Sequence, residues 1–300
     1  MNRIGNLKGI IPATVTPFDE QEQFVPAAYE VLLERLYAAG VDGVYVCGGT
    51  GEGLLQTVEQ RKRVAEVAMK NSPNGKAVIV HVGSHRTADA VELARHAGRT
   101  GAAAVSALPP LGSYSFDEVR AYYEAIAAAS DAPLLVYYFP ESYPGVRTME
   151  QALELCRIPN VVGLKYTDFD LYRMRTIKQS GALVFNGRDE VLAPGLLMGA
   201  DGGIGTFYNV APELFVELYE RAQRGDWEGA RAVQDSINTI IRITLRFPSF
   251  PAIKQILRWR GIECGPCIRP RGGLTREQAD ELGRLLDGCG LGLDRAVSRT

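Results

Sequence analysis

Short apolar runs alternate with longer amphipathic stretches over roughly the first 225 residues of the chain. The runs are four to seven residues long and consist mostly of Val, Ile, Leu, Ala and Tyr. A continuous apolar run, without alternation, is typical of a parallel strand that is buried on both faces. We therefore predict eight buried strands, at residues 9–15, 43–47, 77–82, 103–107, 134–139, 161–165, 183–186 and 202–206.

The stretches between these runs have the periodicity of helices. We predict helices at 27–39, 58–71, 88–100, 116–130, 149–157 and 212–224. Ser115 is typical of a helix start, and Gly40 and Gly101 are typical of helix ends. Eight consecutive strand–helix units close a (β/α)8 barrel, because right-handed crossovers leave few other topologies. An open doubly wound sheet is the alternative, but the chain lacks the G-x-G-x-x-G fingerprint that would favour it.

The last part of the chain differs from the strand–helix units. Residues 227–287 predict about three further helices, in a segment too short to be an independent domain. We predict an α/β protein that is one structural unit, with a (β/α)8 TIM barrel at 1–225 and C-terminal helices at 226–300 packed on it. In such a barrel the active site lies at the carboxyl ends of the strands.

Composition and charge exclude several classes of protein. Hydrophobic residues make up 46% and charged residues 23%, which excludes a disordered chain. A net charge of -2 excludes a strongly basic nucleic-acid surface. No run of about 18 apolar residues exists and no secretory signal is visible, so we expect neither a membrane partner nor secretion. The five scattered cysteines fit a reducing compartment, which predicts a cytoplasmic protein.

One cysteine pair has the spacing of a redox motif. Cys264-Gly-Pro-Cys267 resembles a thioredoxin-type pair, but that chemistry requires a helix start directly after a strand. Here the pair lies in a connection rich in glycine and proline, between two predicted helices. A second C-x-x-C that would complete a zinc site is missing from the sequence. We interpret the pair as part of a loop, with redox or metal chemistry as the alternative.

Lys165 is the most informative candidate among the polar residues at the predicted strand ends. It follows the apolar run 161–164, so its side chain leaves a dry strand and not a solvated helix face. Desolvation lowers the pKa of an amine and makes the neutral nucleophile available. A buried lysine beside a carbonyl substrate is the chemistry of Schiff-base formation. The alternative is a lysine that extends from the strand end to water.

Two further features support catalysis at these strand ends. Tyr137, in the fifth predicted strand, has a phenol that can move protons during imine formation and carbon–carbon cleavage, unless it is a core aromatic. The loop Gly48–Glu52 exposes backbone amides and the Thr50 hydroxyl, an arrangement suited to a carboxylate. Glycine turns after strands are common, so this loop alone is a weak signal. His81, His85 and His96 lack the spacing of a metal site, and no metal is predicted.

These motifs together resemble the dihydrodipicolinate synthase / N-acetylneuraminate lyase family of pyruvate-dependent class I aldolases. The resemblance covers nearly the whole chain. It includes GIIPATVTPFD near the start, the GGTGE loop, HVG at His81, Tyr137-x-x-Pro140, GLK at Lys165, and GADGGIG at 199–205. Each motif is weak alone, and the set is highly specific.

The resemblance implies a role for each motif. Lys165 would form an imine with C2 of pyruvate, Tyr137 would relay protons, and Gly49 and Thr50 would hold the pyruvate carboxylate. The substrate would be a small-molecule 2-oxo acid. Neither cofactor nor metal is implied, since the protonated imine itself accepts the electrons. The family also implies a homotetramer built as a dimer of dimers.

Within the family the sequence favours the sialic acid lyase branch. Synthases of the family carry an arginine two residues after the proline of the strand-five motif, where this chain has Ser142. Similarity to the lyase branch implies substrate-binding roles for Thr167, Gly187, Asp189, Glu190 and Thr206. The implied reaction is cleavage of N-acetylneuraminate to N-acetylmannosamine and pyruvate. A sister pyruvate aldolase or synthase, acting on a 2-keto-3-deoxy sugar acid, 4-hydroxy-2-oxoglutarate or the lysine-pathway substrates, is the alternative, and a non-catalytic binding homologue is a third.

The loop 109–114 departs from the family pattern. It lacks the paired tyrosines that many members use to complete a proton relay across a subunit interface. Tyr114 is the candidate substitute in this chain.

Overall fold

Eight parallel strands form a barrel in the part of the chain that the structure, a computed structural model, describes, which is residues 7–294. The two ends of the predicted unit, 1–6 and 295–300, lie outside the described residues. The strands are β1 Gly9–Pro12, β2 Gly43–Val46, β3 Ala77–His81, β4 Ala104–Ala107, β5 Leu134–Tyr138, β6 Val161–Tyr166, β7 Leu183–Asn186 and β8 Gly202–Gly205. Their order is β1-β8-β7-β6-β5-β4-β3-β2.

The two ends of this sheet meet and close the barrel. The amide of Asp42 donates to the carbonyl of Ile10 at 2.8 Å, and the amide of Thr14 donates to the carbonyl of Tyr45 at 3.0 Å. The predicted TIM barrel is therefore confirmed, and the open doubly wound sheet is excluded. The first strand is shorter than the predicted 9–15, since regular pairing ends at Pro12.

Helices follow the strands around the outside of the barrel. Those that complete the eight units are α1 Pro26–Ala38, α2 Val58–Asn71, α3 Thr87–Arg99, α4 Phe116–Ala128, α5 Met149–Leu155, α6 Leu171–Gln179, α7 Leu192–Leu197 and α8 Pro212–Gln223. Helices α6 and α7 had no separate prediction. Helix α7 has only six residues and contains Pro194 and Gly195, so it is too short for a periodic pattern.

Side-chain direction alternates along each strand and divides the core into two parts. Apolar residues that face outward pack under the helices, while a smaller cluster that includes Ile11, Tyr45, Tyr137 and Phe185 fills the barrel interior. Along β6, Leu164 and Tyr166 belong to the outer core. Because neighbouring side chains of a strand point to opposite faces, Lys165 between them points into the barrel.

Three helices follow the barrel in the described chain: α9 Trp227–Thr244, α10 Ser249–Trp259 and α11 Arg276–Leu286. Helix α9 contacts the loop after β7, where Gln234 Nε2 donates to the carbonyl of Asp189 at 3.0 Å. Helix α10 contacts the loop after β2 through Lys254. The division of the chain at 225/226 stays a prediction. None of the helices in residues 7–294 is long and apolar enough to cross a membrane.

Candidate active site

Lys165 and Tyr137 occupy one level of the barrel interior. They are direct partners in the register of β5 and β6, and both are buried, Lys165 with 4% of its surface exposed. Lys165 Nζ lies 4.0 Å from the centroid of the Tyr137 ring and 4.4 Å from that of Tyr45. The amine is therefore enclosed by the π faces of two tyrosines, which stabilise a cation at this position.

Tyr45 is a site residue that the sequence prediction missed. Its hydroxyl donates to Ser106 Oγ at 3.2 Å, and its ring meets Tyr137 edge to face at 6.2 Å. Burial raises the pKa of Tyr45 well above its usual value, so the phenol stays protonated. The sequence carried a usable signal, because side chains alternate along β2 and Tyr45 points to the side opposite Val44 and Val46, which pack under the helices.

His81, the last residue of β3, contacts the residues that follow β2 and β4. Its Nδ1 lies 3.1 Å from the carbonyl of Cys47, and its Nε2 accepts from the amide of Leu108 at 3.2 Å. These partners place the proton on Nδ1. Burial, together with the charges of Arg61 and Lys165, holds the pKa of His81 well below its usual value. The ring is therefore neutral and meets Tyr137 edge to face at 6.1 Å.

The loop after β2 presents backbone amides to the barrel mouth. Cys47 and Glu52 both have left-handed backbone, with φ of 59° and 57°, so the chain turns sharply at each end of the loop. Among the described residues, no backbone carbonyl accepts from the amides of Gly49 and Thr50. The Thr50 hydroxyl lies 2.7 Å from the hydroxyl of Thr206, at the end of β8. The loop thus offers two amides and a hydroxyl at one place.

Glu52 fixes this loop to the C-terminal helices. Its buried carboxylate pairs with Lys254 Nζ at 3.0 Å and Arg271 Nη1 at 3.3 Å, and it accepts from the amide of Ile268 at 3.0 Å. The sequence prediction included Glu52 only as a loop residue and missed both cations. A lysine within a helix gives no sequence signal of a partner two hundred residues earlier.

Asp189 is buried at the other side of the barrel mouth. One carboxylate oxygen, Oδ2, accepts from the amide of Phe207 at 2.7 Å, while Oδ1 has no hydrogen-bond partner. A β-carbon on Gly205 would lie 1.9 Å from Oδ1, so glycine is required there. Burial raises the pKa of Asp189 to about 7, with a further contribution from the neighbouring Glu190. The carboxyl group can therefore gain or lose a proton near neutral pH.

Thr167, directly after β6, and Gly187, directly after β7, lie against each other. Thr167 is buried, and its hydroxyl has no hydrogen-bond partner. A β-carbon on Gly187 would lie only 2.1 Å from that hydroxyl oxygen. The glycine therefore lets the loop after β7 approach the end of β6. Glu190 and Thr206 are half-buried. The residues predicted to bind the sugar chain all lie at the ends of β6, β7 and β8.

A layer of aromatic rings and charges forms the rim above Tyr137. The Phe139 ring stacks on Tyr137 at 6.1 Å, and Arg188 lies between Phe139 and Phe169, with centroid distances of 5.3 and 4.5 Å. Arg188 also pairs with Glu141. Tyr114, by contrast, is 45% exposed, and its proposed part in a proton relay stays a prediction.

The cysteine pair of the C-terminal segment has the properties of loop residues. Cys264 and Cys267 are free thiols outside any helix. Burial raises the pKa of Cys264 to about 12 and that of Cys267 to about 11, the opposite of the thiolate that redox chemistry needs. Within residues 7–294, no group of three or more His, Cys, Asp or Glu side chains is placed to hold a metal ion.

Fold and site together define a (β/α)8-barrel protein with a buried lysine at the carboxyl end of β6. The sequence model of the dihydrodipicolinate synthetase family matches residues 6–288, and the chain belongs to this family. The predicted family membership is confirmed.

Several similar proteins carry the name of N-acetylneuraminate lyase or sialic acid aldolase. The chain is 37% identical to N-acetylneuraminate lyase of Rhizobium meliloti (strain 1021) over 267 residues, covering 88% of this chain and 89% of the relative. It is 35% identical to N-acetylneuraminate lyase of Escherichia coli O1:K1 / APEC, covering 92% and 95%. Among solved structures, the wild-type sialic acid aldolase of Ruminococcus gnavus superposes with a TM-score of 0.90 at 32% identity, covering 94% and 96%.

Proposed function

We propose that the chain is a class I aldolase that cleaves N-acetylneuraminate to N-acetylmannosamine and pyruvate through an imine at Lys165. The observation that carries the proposal is the buried Lys165 amine, held between the rings of Tyr137 and Tyr45 at the carboxyl ends of the strands. The names of the curated relatives support the sialic acid branch.

The amine attacks first. After loss of a proton, Lys165 Nζ adds to the C2 carbonyl of the substrate, and loss of water leaves a protonated imine. In this proposal Tyr137, the partner of Lys165 in the register of β5 and β6, gives a proton to the departing hydroxyl and takes one back. Tyr45 and His81 position the neighbouring groups and transfer no proton. The Tyr45 hydroxyl already donates to Ser106, and His81 is neutral with both ring nitrogens hydrogen-bonded.

The loop after β2 holds the carboxylate next to C2. The amides of Gly49 and Thr50 and the Thr50 hydroxyl provide donors in one place, as an anion requires. The ion pairs of Glu52 hold the far end of the loop and keep these donors in place. Orientation of this kind fixes which face of the carbonyl meets Lys165.

Carbon–carbon cleavage uses the imine as the electron acceptor. Removal of the C4 hydroxyl proton releases the C3–C4 electron pair into the protonated imine, which gives an enamine and an aldehyde. A proton at C3 and a water molecule at C2 then return pyruvate and free Lys165. Electrons and protons balance without a cofactor, and the proposal includes none.

The aldehyde half of the substrate lies toward β6, β7 and β8. Thr167 Oγ1 and Asp189 Oδ1 are buried atoms without partners, which suits hydrogen bonds to substrate hydroxyls. Glu190 and Thr206 lie at the same end of the barrel. The position of the synthase arginine carries an exposed Ser142, so no observation favours the synthase alternative. A homotetramer, implied by the family resemblance, and a cytoplasmic location, predicted from the scattered cysteines, complete the proposal.

Covalent trapping tests the mechanism. Pyruvate with borohydride should attach one reduced pyruvyl group to Lys165, located by peptide mass mapping, because the reduced imine is stable. Lys165→Ala should lose both the adduct and pyruvate release from N-acetylneuraminate, and Lys165→Arg should do the same, since a guanidinium forms no imine. Lys62→Ala is the control, because Lys62 lies on the outer helix α2 and pairs with Glu92. An adduct at another lysine, or none, would contradict the mechanism.

A further inference from the structure

Arg188 joins three successive strand ends at the rim of the barrel. It follows β7 directly, and its guanidinium lies between Phe139, which follows β5, and Phe169, which follows β6. Phe139 in turn stacks on Tyr137. The Phe139 ring therefore lies between the Arg188 guanidinium and Tyr137, the residue to which we assign proton transfer.

The rings of Phe139 and Phe169 cover the flat faces of this guanidinium, so only the N–H groups along its edge are left to bind a ligand. Arg188 Nε is buried without a hydrogen-bond partner, and Nη2 pairs with Glu141. The Arg188 side chain is 18% exposed, whereas that of Glu141 is 69% exposed. An ion pair with so exposed a carboxylate contributes little, so another anion can replace Glu141 at small cost.

We propose that Arg188 forms an anion-binding subsite at the rim, and that, besides N-acetylneuraminate, the chain accepts 2-oxo sugar acids with a second anionic group, a carboxylate or phosphate, at the end remote from C2. The inference rests on the proposed function, because Lys165 and Tyr137 fix C2 to C4 and direct the rest of the substrate outward. Arginine suits this role better than lysine, since its planar edge binds carboxylate and phosphate groups bidentately.

The direct test compares two substrates that differ only at the remote end. N-acetylneuraminate and its 9-phosphate ester are supplied to the wild type and to Arg188→Gln, and pyruvate release is measured. We expect Arg188→Gln to lower kcat/KM for the ester relative to N-acetylneuraminate by about ten- to a hundredfold, through KM. Arg188→Lys should recover part of the loss. Trapping of pyruvate at Lys165 checks that each variant is folded.

Removing the competing carboxylate should act in the opposite direction. Glu141→Gln frees Arg188 and should lower KM for the 9-phosphate ester by about two- to fivefold, with a smaller effect on N-acetylneuraminate. Arg147→Gln is the matched control, because Arg147 is an exposed arginine in the same loop after β5 and lies outside the ring sandwich. Arg147→Gln should change KM for the two substrates by the same factor.

Four results would overturn the inference. Equal losses for both substrates in Arg188→Gln would make Arg188 a support for the rim and not an anion site. A rise in KM for the ester in Glu141→Gln would mean that the ion pair itself binds the substrate. A wild type that traps pyruvate but cleaves neither substrate would remove the proposed function, and the inference with it, whereas cleavage of N-acetylneuraminate alone removes only the inference.

Discussion

At the scale of single residues, the proposed chemistry assigns different tasks to two tyrosines that enclose the same amine. Tyr137→Phe should keep the ring over Lys165 Nζ and lose only the hydroxyl. Loss of proton relay lowers turnover by about 10²–10⁴-fold, while imine formation with pyruvate persists more slowly. Tyr45→Phe is the matched control, because the Tyr45 hydroxyl is already bonded to Ser106. Steady-state pyruvate release and borohydride trapping on both variants test this, and equal losses would contradict a relay at Tyr137.

Asp189 carries a pH dependence that can be measured in the folding equilibrium. Since burial raises its pKa to about 7, the folded protein binds the proton more tightly than the unfolded chain. The resulting stabilisation is complete below the unfolded pKa near 4 and is lost as pH rises through about 7. Asp189→Asn should therefore gain stability relative to the wild type between about pH 5 and pH 8, by on the order of 2–3 kcal/mol.

Urea unfolding of both proteins at these two pH values measures the difference. A parallel change of the two free energies of unfolding with pH would show that Asp189 ionises at its ordinary pKa.

At the scale of elements, the site depends on how closely the ends of β6 and β7 approach. Gly187→Ala places a methyl group 2.1 Å from Thr167 Oγ1, so the two loops must separate. We expect a loss of about 1–3 kcal/mol in stability and a higher KM for the sugar acid. Gly273→Ala is the control, since a β-carbon there meets no atom within 4 Å.

A second substitution distinguishes crowding from other causes. Thr167→Ala in the Gly187→Ala background removes the atom that is crowded and should restore most of the lost stability, measured by urea unfolding. Additive effects of the two substitutions would contradict the steric explanation.

The strands were predictable because their signals are local. Eight apolar runs marked the strands, since strands covered on both faces need apolar residues throughout. Lys165 stood out for the same reason, as a charge at the end of such a run. The ring of Tyr45 over that lysine, the pairing of Glu52 with Lys254, and the stacking around Arg188 depend on contacts between distant segments. Periodicity contains no information on such contacts.

At the scale of the whole molecule, one buried ion pair connects the barrel mouth to the C-terminal helices. Glu52→Gln would leave Lys254 charged and buried without its partner, and should cost about 3–5 kcal/mol in stability. Glu52→Gln with Lys254→Met should cost less than the sum of the single changes, as a double-mutant cycle in urea shows. Arg271→Gln is the control and should cost less, because Arg271 is one-third exposed. Additivity of the pair would contradict the coupling.

The same contact joins two segments that are synthesised at different times. Glu52 binds the amide of Ile268, which is 216 positions later in the chain. At ordinary rates of translation, roughly 10–40 s pass between the synthesis of these two residues. Lys165 is made about halfway through that interval, and until Ile268 follows, the loop that should receive the carboxylate lacks this anchor. A ribosome-bound chain therefore contains its nucleophile before it contains the residue that anchors the carboxylate loop.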